Sequence, residues 1–394
     1  MPDVDKILKI AHIITRLILG GAQENTLITC KELAARGHDV TLITGPALGP
    51  EGELFEQTKN QKYKTIVVDS LRRQINPLYD ILAYNQLKKL LAEIQPDIVH
   101  THSAKAGILG RYAAYQLKIQ NSKLKIIHSV HGLSFHKYQN CLLNKFYIAA
   151  ERMAVKKTDA FICVADAMTG KSLAAGIGKP AQYTTAYSAI EEDVFLNPIP
   201  EQQQKDFRRK YDIPDNAVVL VSIARLFHLK GHKYIIESAK NLAERFENCI
   251  WLFVGDGILK DSLQKQIADF GIVDRFRFTG LLPVEKMPLV LQSSDILVHC
   301  SLREGLARVL PQAMLCGKPV ISFDIDGAGE VVNPDTGRLI EPENIEQLTQ
   351  ACAELTANEN LRLKLGSAGR DFVKEKFSPK TMVDAIEKVY ERLL

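Results

Sequence analysis

The chain has 394 residues, is 46% hydrophobic and 24% charged, and carries 50 Lys+Arg against 46 Asp+Glu. That length suits two ordinary domains, and the composition excludes a disordered, low-complexity or fibrous chain. A net charge of +4 gives no support for a nucleic-acid partner, and no apolar run approaches the roughly 18 residues that a membrane span needs.

The first six residues, Met1–Lys6, are acidic, and Lys9 and Arg16 interrupt the apolar residues behind them, which is not the pattern of a signal peptide. "ILKIAHIIT" (7–15) reads as a buried strand. Gly20-Gly21 then leads into an amphipathic stretch, Ala22–Arg36, that Gly37 stops. "HDVTLIT", "KTIVVDS", "PDIVHTH", "LKIIHSVHG" and "DAFICVAD" follow, each strand-like and separated by helical segments. Such alternation predicts parallel β-α units with both sheet faces covered. "NPIPEQQQ" (197–204), polar with two prolines, predicts a linker. The alternation restarts with "AVVLVSIAR", "CIWLFVGDG", "RFRFTG", "DILVHCS" and "KPVISFD". "SPKTMVDAIEKVYERLL" (378–394) opens on Ser-Pro, as an N-cap and first helical residue would, and continues as an amphipathic helix. The expectation is an α/β protein of two doubly wound domains, 1–196 and 197–377, with a final helix at 378–394.

The seven cysteines are scattered, odd in number and free of any C-x-x-C. They predict reduced, buried thiols in a cytoplasmic protein rather than a disulfide frame or zinc site. Residues 1–196 hold 24 Lys+Arg against 18 Asp+Glu. A basic N-terminal half is compatible with peripheral contact to an anionic membrane or with a phosphorylated acceptor; ordinary solvated lysines are the plainer account.

Ligands of doubly wound sheets bind beyond the carboxyl ends of the strands, so polar residues there are the candidates. Gly20-Gly21 precedes a helix and allows close backbone approach to an anion, but no G-x-G-x-x-G accompanies it; a plain tight turn explains it equally. Arg225 and Lys230 flank a strand end ahead of Gly231, a pair able to neutralise a diphosphate by fork and by point charge. Gly255-Asp256 closes another strand. In "SLREGLARVLPQAM", Glu304 is expected in the loop or first helical turn, with Gln312 on roughly the same side two turns later. The amides of Leu306, Ala307, Arg308 and Val309 would then face whatever lies at the helix start. An acid complementing the helix dipole is the alternative for Glu304. Asp324-x-Asp326 could be read as a metal-binding pair, but it ends a strand before a Gly-rich loop better suited to donating backbone N–H groups to a sugar; no metal site is expected. His100, His102, His128 and His131 cluster near strand ends, and His131, before Gly132, is placed to reach a ligand.

In order, "LGGAQ" (19–23), "HTHSAKAGILGR" (100–111), "HGLSF" (131–135), "ARL…KG" (224–231), "FVGDG" (253–257), "FTG" (278–280), "EGLARVLPQAMLCGKPVI" (304–321) and "DGAGEVV" (326–332) resemble the retaining family 4 glycosyltransferases of the GT-B fold. The resemblance implies two Rossmann-like domains facing across a cleft, the N-terminal one for the acceptor and the C-terminal one for a UDP- or GDP-sugar, with the last helix returning to the N-terminal domain. It implies that Arg225 and Lys230 bind the donor diphosphate, that Glu304 lies by the donor sugar, and that Gln312 stands where a second acid meets the ribose. His131 would lie near the transferred sugar, Gly21 in the flexible loop at diphosphate and acceptor, and Gly327 in the sugar loop. Transfer would be metal-independent, to a saccharide or lipid-linked acceptor, at the inner face of the membrane during polysaccharide or glycolipid synthesis. Three positions depart from the pattern: Gln312 itself, Ala307 in place of a frequent proline, and "YSAIEEDVF" (187–195) in place of an Asn-Gly-Ile-Asp turn. Glutamine still offers an amide oxygen to a hydroxyl. The alternatives are a sugar-nucleotide epimerase of the same fold and a non-catalytic nucleotide-sugar-binding subunit.

Overall fold

The structure is a computed structural model and describes residues 7–49 and 52–394. The acidic start Met1–Lys6, on which the signal-peptide argument rested, lies outside them. The chain forms two compact units, Met1–Ala189 with Pro379–Leu394, and Ile190–Ser378.

The first unit runs β1 (Lys9–Ile14), α1 (Gly21–Ala35), β2 (Asp39–Thr44), β3 (Lys64–Val67), α2 (Pro77–Ile94), β4 (Ile98–His102), α3 (Ala104–Gln120), β5 (Lys125–Val130), α4 (Cys141–Val155), β6 (Ala160–Cys163), α5 (Asp166–Ala174) and β7 (Tyr183–Thr185). Its sheet has the order β3-β2-β1-β4-β5-β6-β7, every pair parallel. Asparagines set two of the helix starts: the Asn76 side chain accepts from the Leu78 and Tyr79 amides ahead of α2, and Asn140 does the same for Leu142 and Leu143 at α4.

The second unit runs α6 (Glu192–Leu196), α7 (Glu201–Lys210), β8 (Val218–Ile223), α8 (His232–Leu242), β9 (Cys249–Val254), α9 (Lys260–Asp269), β10 (Phe276–Gly280), α10 (Met287–Gln292), β11 (Ile296–His299), α11 (Val309–Leu315), β12 (Val320–Phe323), β13 (Gly337–Ile340), α12 (Ile345–Ala357) and α13 (Glu359–Val373). The sheet order is β10-β9-β8-β11-β12-β13, again all parallel. Each sheet starts in its middle and winds outward both ways. The order therefore reverses between β1 and β4 in one unit and between β8 and β11 in the other, and a doubly wound sheet opens a crevice for ligands at such a reversal.

The last helix, α14 (Pro379–Leu393), belongs to the first unit. Met382, Val383, Ile386, Val389 and Tyr390 join the core built by Ile10, Ile14, Leu27, Val40 and Ile127. Outside that apolar stripe, Arg36 bonds Asp384 at 2.7 Å and also Glu387, and His38 Nε2 lies 3.0 Å from Glu387 Oε1.

One sequence expectation needs correcting, and two strands were not anticipated. The polar stretch 197–204 is not a free linker: Pro200 caps α7, whose helix begins at Glu201, and Gln292 holds the segment by donating to the Asn197 carbonyl at 2.9 Å. The Pro-Glu pair marks a helix start, which the polarity concealed. β7 and β13, three and four residues long, are edge strands too short to stand out as apolar runs. Six cysteines are buried and Cys141 is exposed.

The α14 stripe is core, so Ile386→Ala should destabilise the protein by about 2–5 kcal/mol, while Leu142→Ala on an exposed face should stay within about 0.5 kcal/mol. Thermal unfolding followed by circular dichroism, run on both variants, checks the contrast; equal midpoints would contradict it.

Candidate active site

In the second unit the crevice at β8 and β11 is built from two loops. The loop after β8 carries Arg225 and Lys230. It folds back so closely that a Cβ on Gly231, which has φ +73, would lie 1.8 Å from the Cys300 carbonyl oxygen. Only glycine tolerates both that conformation and that approach. Gly255 is similar: with φ +139, its Cβ would meet the Ala224 oxygen at 2.1 Å. The Leu302 amide donates to Leu229 at 2.8 Å and the Leu226 amide to Asp256 at 2.9 Å, tying the strand-end loops to one another.

Glu304 is the hub. Its Oε1 receives Lys230 Nζ at 2.5 Å and Ser301 Oγ at 2.7 Å, and His299 Nε2 stands 3.4 Å from the same oxygen. Asp326 Oδ2 accepts the Glu304 backbone N–H at 2.6 Å, and Gly327 donates to the Gly305 carbonyl at 3.1 Å. Burial would raise the Glu304 carboxyl, but the charge of Lys230, followed by His299, overrides it and holds the group well below the usual carboxylate range. The site thus keeps an ionised carboxylate bonded to a lysine, with the Arg225 guanidinium 5.1 Å from the Phe227 ring centroid on the same loop.

α11 begins only at Val309, so Glu304 lies in the preceding loop and the eight-residue helical spacing to Gln312 does not apply. Glycine and proline shorten the regular segment: Gly305 precedes it and Pro311 sits in its first turn. Leu306, Ala307 and Val309 bury their side chains, and Gln312 is only 9% exposed. What Leu306, Ala307 and Val309 can offer a ligand is therefore backbone, while Arg308 is half-buried. Asp326, with φ +50, braces Glu304 through its carboxylate. That occupies one member of the Asp324/Asp326 pair with structural work.

In the first unit Gly21 opens α1, directly beyond β1. His12 and His102 meet across the β1/β4 reversal, Nδ1 to Nε2, at 2.9 Å. His102 Nδ1 in turn lies 2.9 Å from His131 Nε2. His100 is held by Tyr390 Oη at 2.6 Å and Ser129 Oγ at 2.7 Å. His128 points to the other face, against Thr101 Oγ1 at 2.9 Å. Of the four histidines singled out in sequence, three form one cluster with His12. His12, His100 and His102 place ring nitrogens within 4.8 Å of one another. Both nitrogens of His100 and both of His102 are already hydrogen-bonded, so a cation there would have to displace those bonds. Sequence reasoning missed His12, His299 and Ser301. The first is one polar residue inside the apolar run "KIAHII", and an imidazole inside a buried strand was the available signal.

The chain matches the family described as Glycosyl transferases group 1 over residues 203–372 and Glycosyltransferase Family 4 over residues 19–190. A UDP-Gal:alpha-D-GlcNAc-diphosphoundecaprenol alpha-1,3-galactosyltransferase from Escherichia coli is 27% identical, over 99% of this chain and 98% of its own. An N-acetyl-alpha-D-glucosaminyl L-malate synthase from Bacillus anthracis is 24% identical over 92% of each. Among solved structures, Anabaena HepE in complex with UDP and glucose superposes with a TM-score of 0.81, at 18% identity, over 98% of this chain and 99% of the other. The chain belongs to the group 1, family 4 glycosyltransferases and has the GT-B fold. It is an enzyme that transfers a sugar from a nucleoside diphosphate donor with retention of configuration.

Glu304 is ionised because Lys230 faces it, so the sign is fixed. A carboxyl with a depressed folded-state pKa stabilises the protein fully above its ordinary pKa, 4.5, and loses that contribution as pH falls below it. Glu304→Gln should therefore cost on the order of 1–3 kcal/mol at neutral pH. The gap to the native protein should be flat from about pH 6 to 8 and narrow below about 4.5. Urea unfolding across pH measures it, and a gap that widens in acid would contradict the assignment.

Proposed function

We propose that the second unit binds a UDP- or GDP-sugar and that the acceptor is a lipid-linked saccharide met at an anionic membrane surface. The observation that carries the acceptor class is α4. Leu142, Phe146 and Met153 recur at helical spacing and are 70%, 57% and 57% exposed, so the apolar stripe that could have been core is on the outside. Lys145 and Arg152 lie on the same helix and are exposed, as are Lys137 ahead of it and Lys156 behind. No aspartate or glutamate occurs from 98 to 150. At the start of α2, Leu78, Ile81 and Leu82 are exposed as well. Both helices begin after parallel strands, so both starts emerge at the carboxyl edge of the sheet. Apolar side chains ringed by lysines suit the boundary between anionic headgroups and acyl chains. Among the described residues no helix is long and apolar enough to cross a membrane, and the proposed contact is peripheral, at the cytoplasmic face. The E. coli relative acts, by its name, on a diphosphoundecaprenol-linked sugar, which supports the same acceptor class.

On this reading Arg225 and Lys230 bind the donor diphosphate, aided by the backbone at Leu306, Ala307, Arg308 and Val309 and by Gly21. Gly255 keeps the β9 loop low enough for the nucleotide. Glu304 and Gly327 serve the donor sugar, Gln312 serves the ribose, and His131 serves the transferred sugar. Stabilisation of the leaving diphosphate by fixed cations needs no metal. The first unit's chemistry is orientation of the acceptor hydroxyl, and closeness of reactants alone lowers such barriers substantially.

Three measurements test this. With a matched donor, turnover should survive EDTA, while Arg225→Ala should lower it at least about tenfold, or about 1.4 kcal/mol; loss in EDTA restored by manganese would overturn metal independence. Gln312→Ala should raise the donor KM several-fold, since a neutral hydrogen bond contributes about 0.5–1.5 kcal/mol, whereas Glu304→Ala should strike kcat; an unchanged KM in folded Gln312→Ala would remove the ribose assignment. Sedimentation with vesicles should show binding to anionic and not to neutral lipid, weakened by Leu142→Asn with Phe146→Asn. Equal binding to both lipids, or none, would contradict membrane contact.

A further inference from the structure

The side-chain donors around Glu304 all address one oxygen. Lys230 Nζ and Ser301 Oγ meet Oε1 at 2.5 and 2.7 Å, and among the described residues no donor meets Oε2. A carboxylate oxygen has about two lone-pair sites, so these two donors fill Oε1. His299 Nε2 stands 3.4 Å from the same atom. It is near enough to act on the carboxylate's charge, but among the described residues it is buried without a hydrogen bond. A buried ring nitrogen without a partner is uncommon and costly.

The end of β11 puts it there. His299 is the last residue of that strand. His299 and Ser301, two residues apart, reach Glu304 from one side of the chain, and Cys300 between them packs into the core. An ionised carboxylate only accepts, so the ring nitrogen facing it is the N–H. Lys230, by contrast, has a second call on it. Where it binds the donor diphosphate, its ammonium is drawn toward an anion of higher charge than one carboxylate. Oε1 then loses a donor and a counter-ion together. Burial favours the protonated acid, and the side chain is free to turn. The backbone stays, because Asp326 Oδ2 still accepts the Glu304 N–H at 2.6 Å.

We propose that His299 is the reserve donor of this carboxylate: as a diphosphate takes Lys230, the His299 Nε2–H occupies the vacated lone pair of Oε1. This handover rests on the reading of Lys230 as a ligand of the donor diphosphate. No proton is transferred. Lys230 leaves as an ammonium, His299 keeps its proton, Glu304 stays a carboxylate, and one charge-assisted hydrogen bond replaces another. Ser301 holds the other lone pair throughout. The carboxylate therefore keeps its orientation, and Oε2 remains the oxygen without a protein donor, open to a hydroxyl of the bound sugar. His299 is a positioning residue, since it acts on the sugar only through Glu304.

The handover is testable without turnover, by proton–nitrogen correlation on the full-length protein with 15N-labelled histidine; His299→Gln identifies the His299 signals. In Lys230→Ala, with no nucleotide, Oε1 has lost its lysine. The His299 Nε2–H should then lie downfield of its native position and exchange more slowly with water. An unchanged signal in that folded variant would overturn the proposal. In the native protein, saturating UDP or GDP, whichever calorimetry shows to bind, should move the signal the same way. A bound nucleotide that leaves it unmoved would overturn the handover. If neither nucleotide binds, or Lys230→Ala binds it as tightly as the native protein, the diphosphate reading of Lys230 fails and takes the handover with it. The Lys230→Ala spectrum still judges whether His299 is the reserve donor. In turnover, His299→Leu should lower kcat about tenfold or more, the scale of one lost hydrogen bond to a charged group, with the donor KM almost unchanged. His299→Gln keeps an N–H donor and should recover most of that loss. Equal kcat in the two would reject the positioning role, and if His299→Leu does not fold, the native and Lys230→Ala spectra decide.

Discussion

Every strand in both sheets is parallel, and most of the molecule follows from that. Parallel strands need a crossover between neighbours and cover on both faces, which explains the helix between almost every pair and the near-continuous apolar runs. It also sends every strand's carboxyl end to one edge of its sheet. Residues far apart in sequence, such as His12, His102 and His131, or Lys230 and Glu304, meet there without any long loop to carry them. The functional polar groups can then stand on rigid strand ends, where packing below them fixes their geometry.

This is why so much was legible from the sequence. A buried parallel strand is a short run of Val, Ile and Leu, and the residue that follows it is at the sheet's working edge by construction. Arg225 after "VLVSIA" and His131 after "KIIHSV" were placed that way. What failed to show was set by distance in space or by brevity. Glu304 as a hub depends on Ser301, His299 and Lys230 converging, and no spacing rule announces a contact across 74 residues. The helical phase argument linking Glu304 to Gln312 failed because glycine and proline delay the helix to Val309. The apolar face of α4 reads the same in sequence whether it is buried or not; only the folded chain shows Leu142, Phe146 and Met153 exposed.

The two crevices solve the same electrostatic problem differently. In the second unit a carboxylate and a lysine are held together, so the cation is oriented in advance and its charge is balanced until an anion arrives. A diphosphate entering there would compete with Glu304 for Lys230, and the gain comes from orientation already fixed. In the first unit the clustered side chains His12, His100 and His102 carry no charge. Burial makes the imidazoles neutral, and specificity has to come from the direction of hydrogen bonds.

Gln312 is intelligible in this setting. Position 312 is nine-tenths buried in a short helix, close in sequence to a carboxylate that is already ionised. A second carboxylate there would add a charge in poorly solvated surroundings, destabilising the ionised state of both acids unless a cation or hydroxyl compensates. An amide avoids the repulsion and still presents an oxygen. The cost is a neutral hydrogen bond in place of a charge-assisted one, a difference of about 1 kcal/mol. On the proposed assignment, that is large enough to alter donor affinity several-fold and too small to abolish binding by Arg225 and Lys230. On the proposed reading, in which position 312 serves the ribose and not the reacting atoms, a glutamine there is therefore compatible with a working transferase.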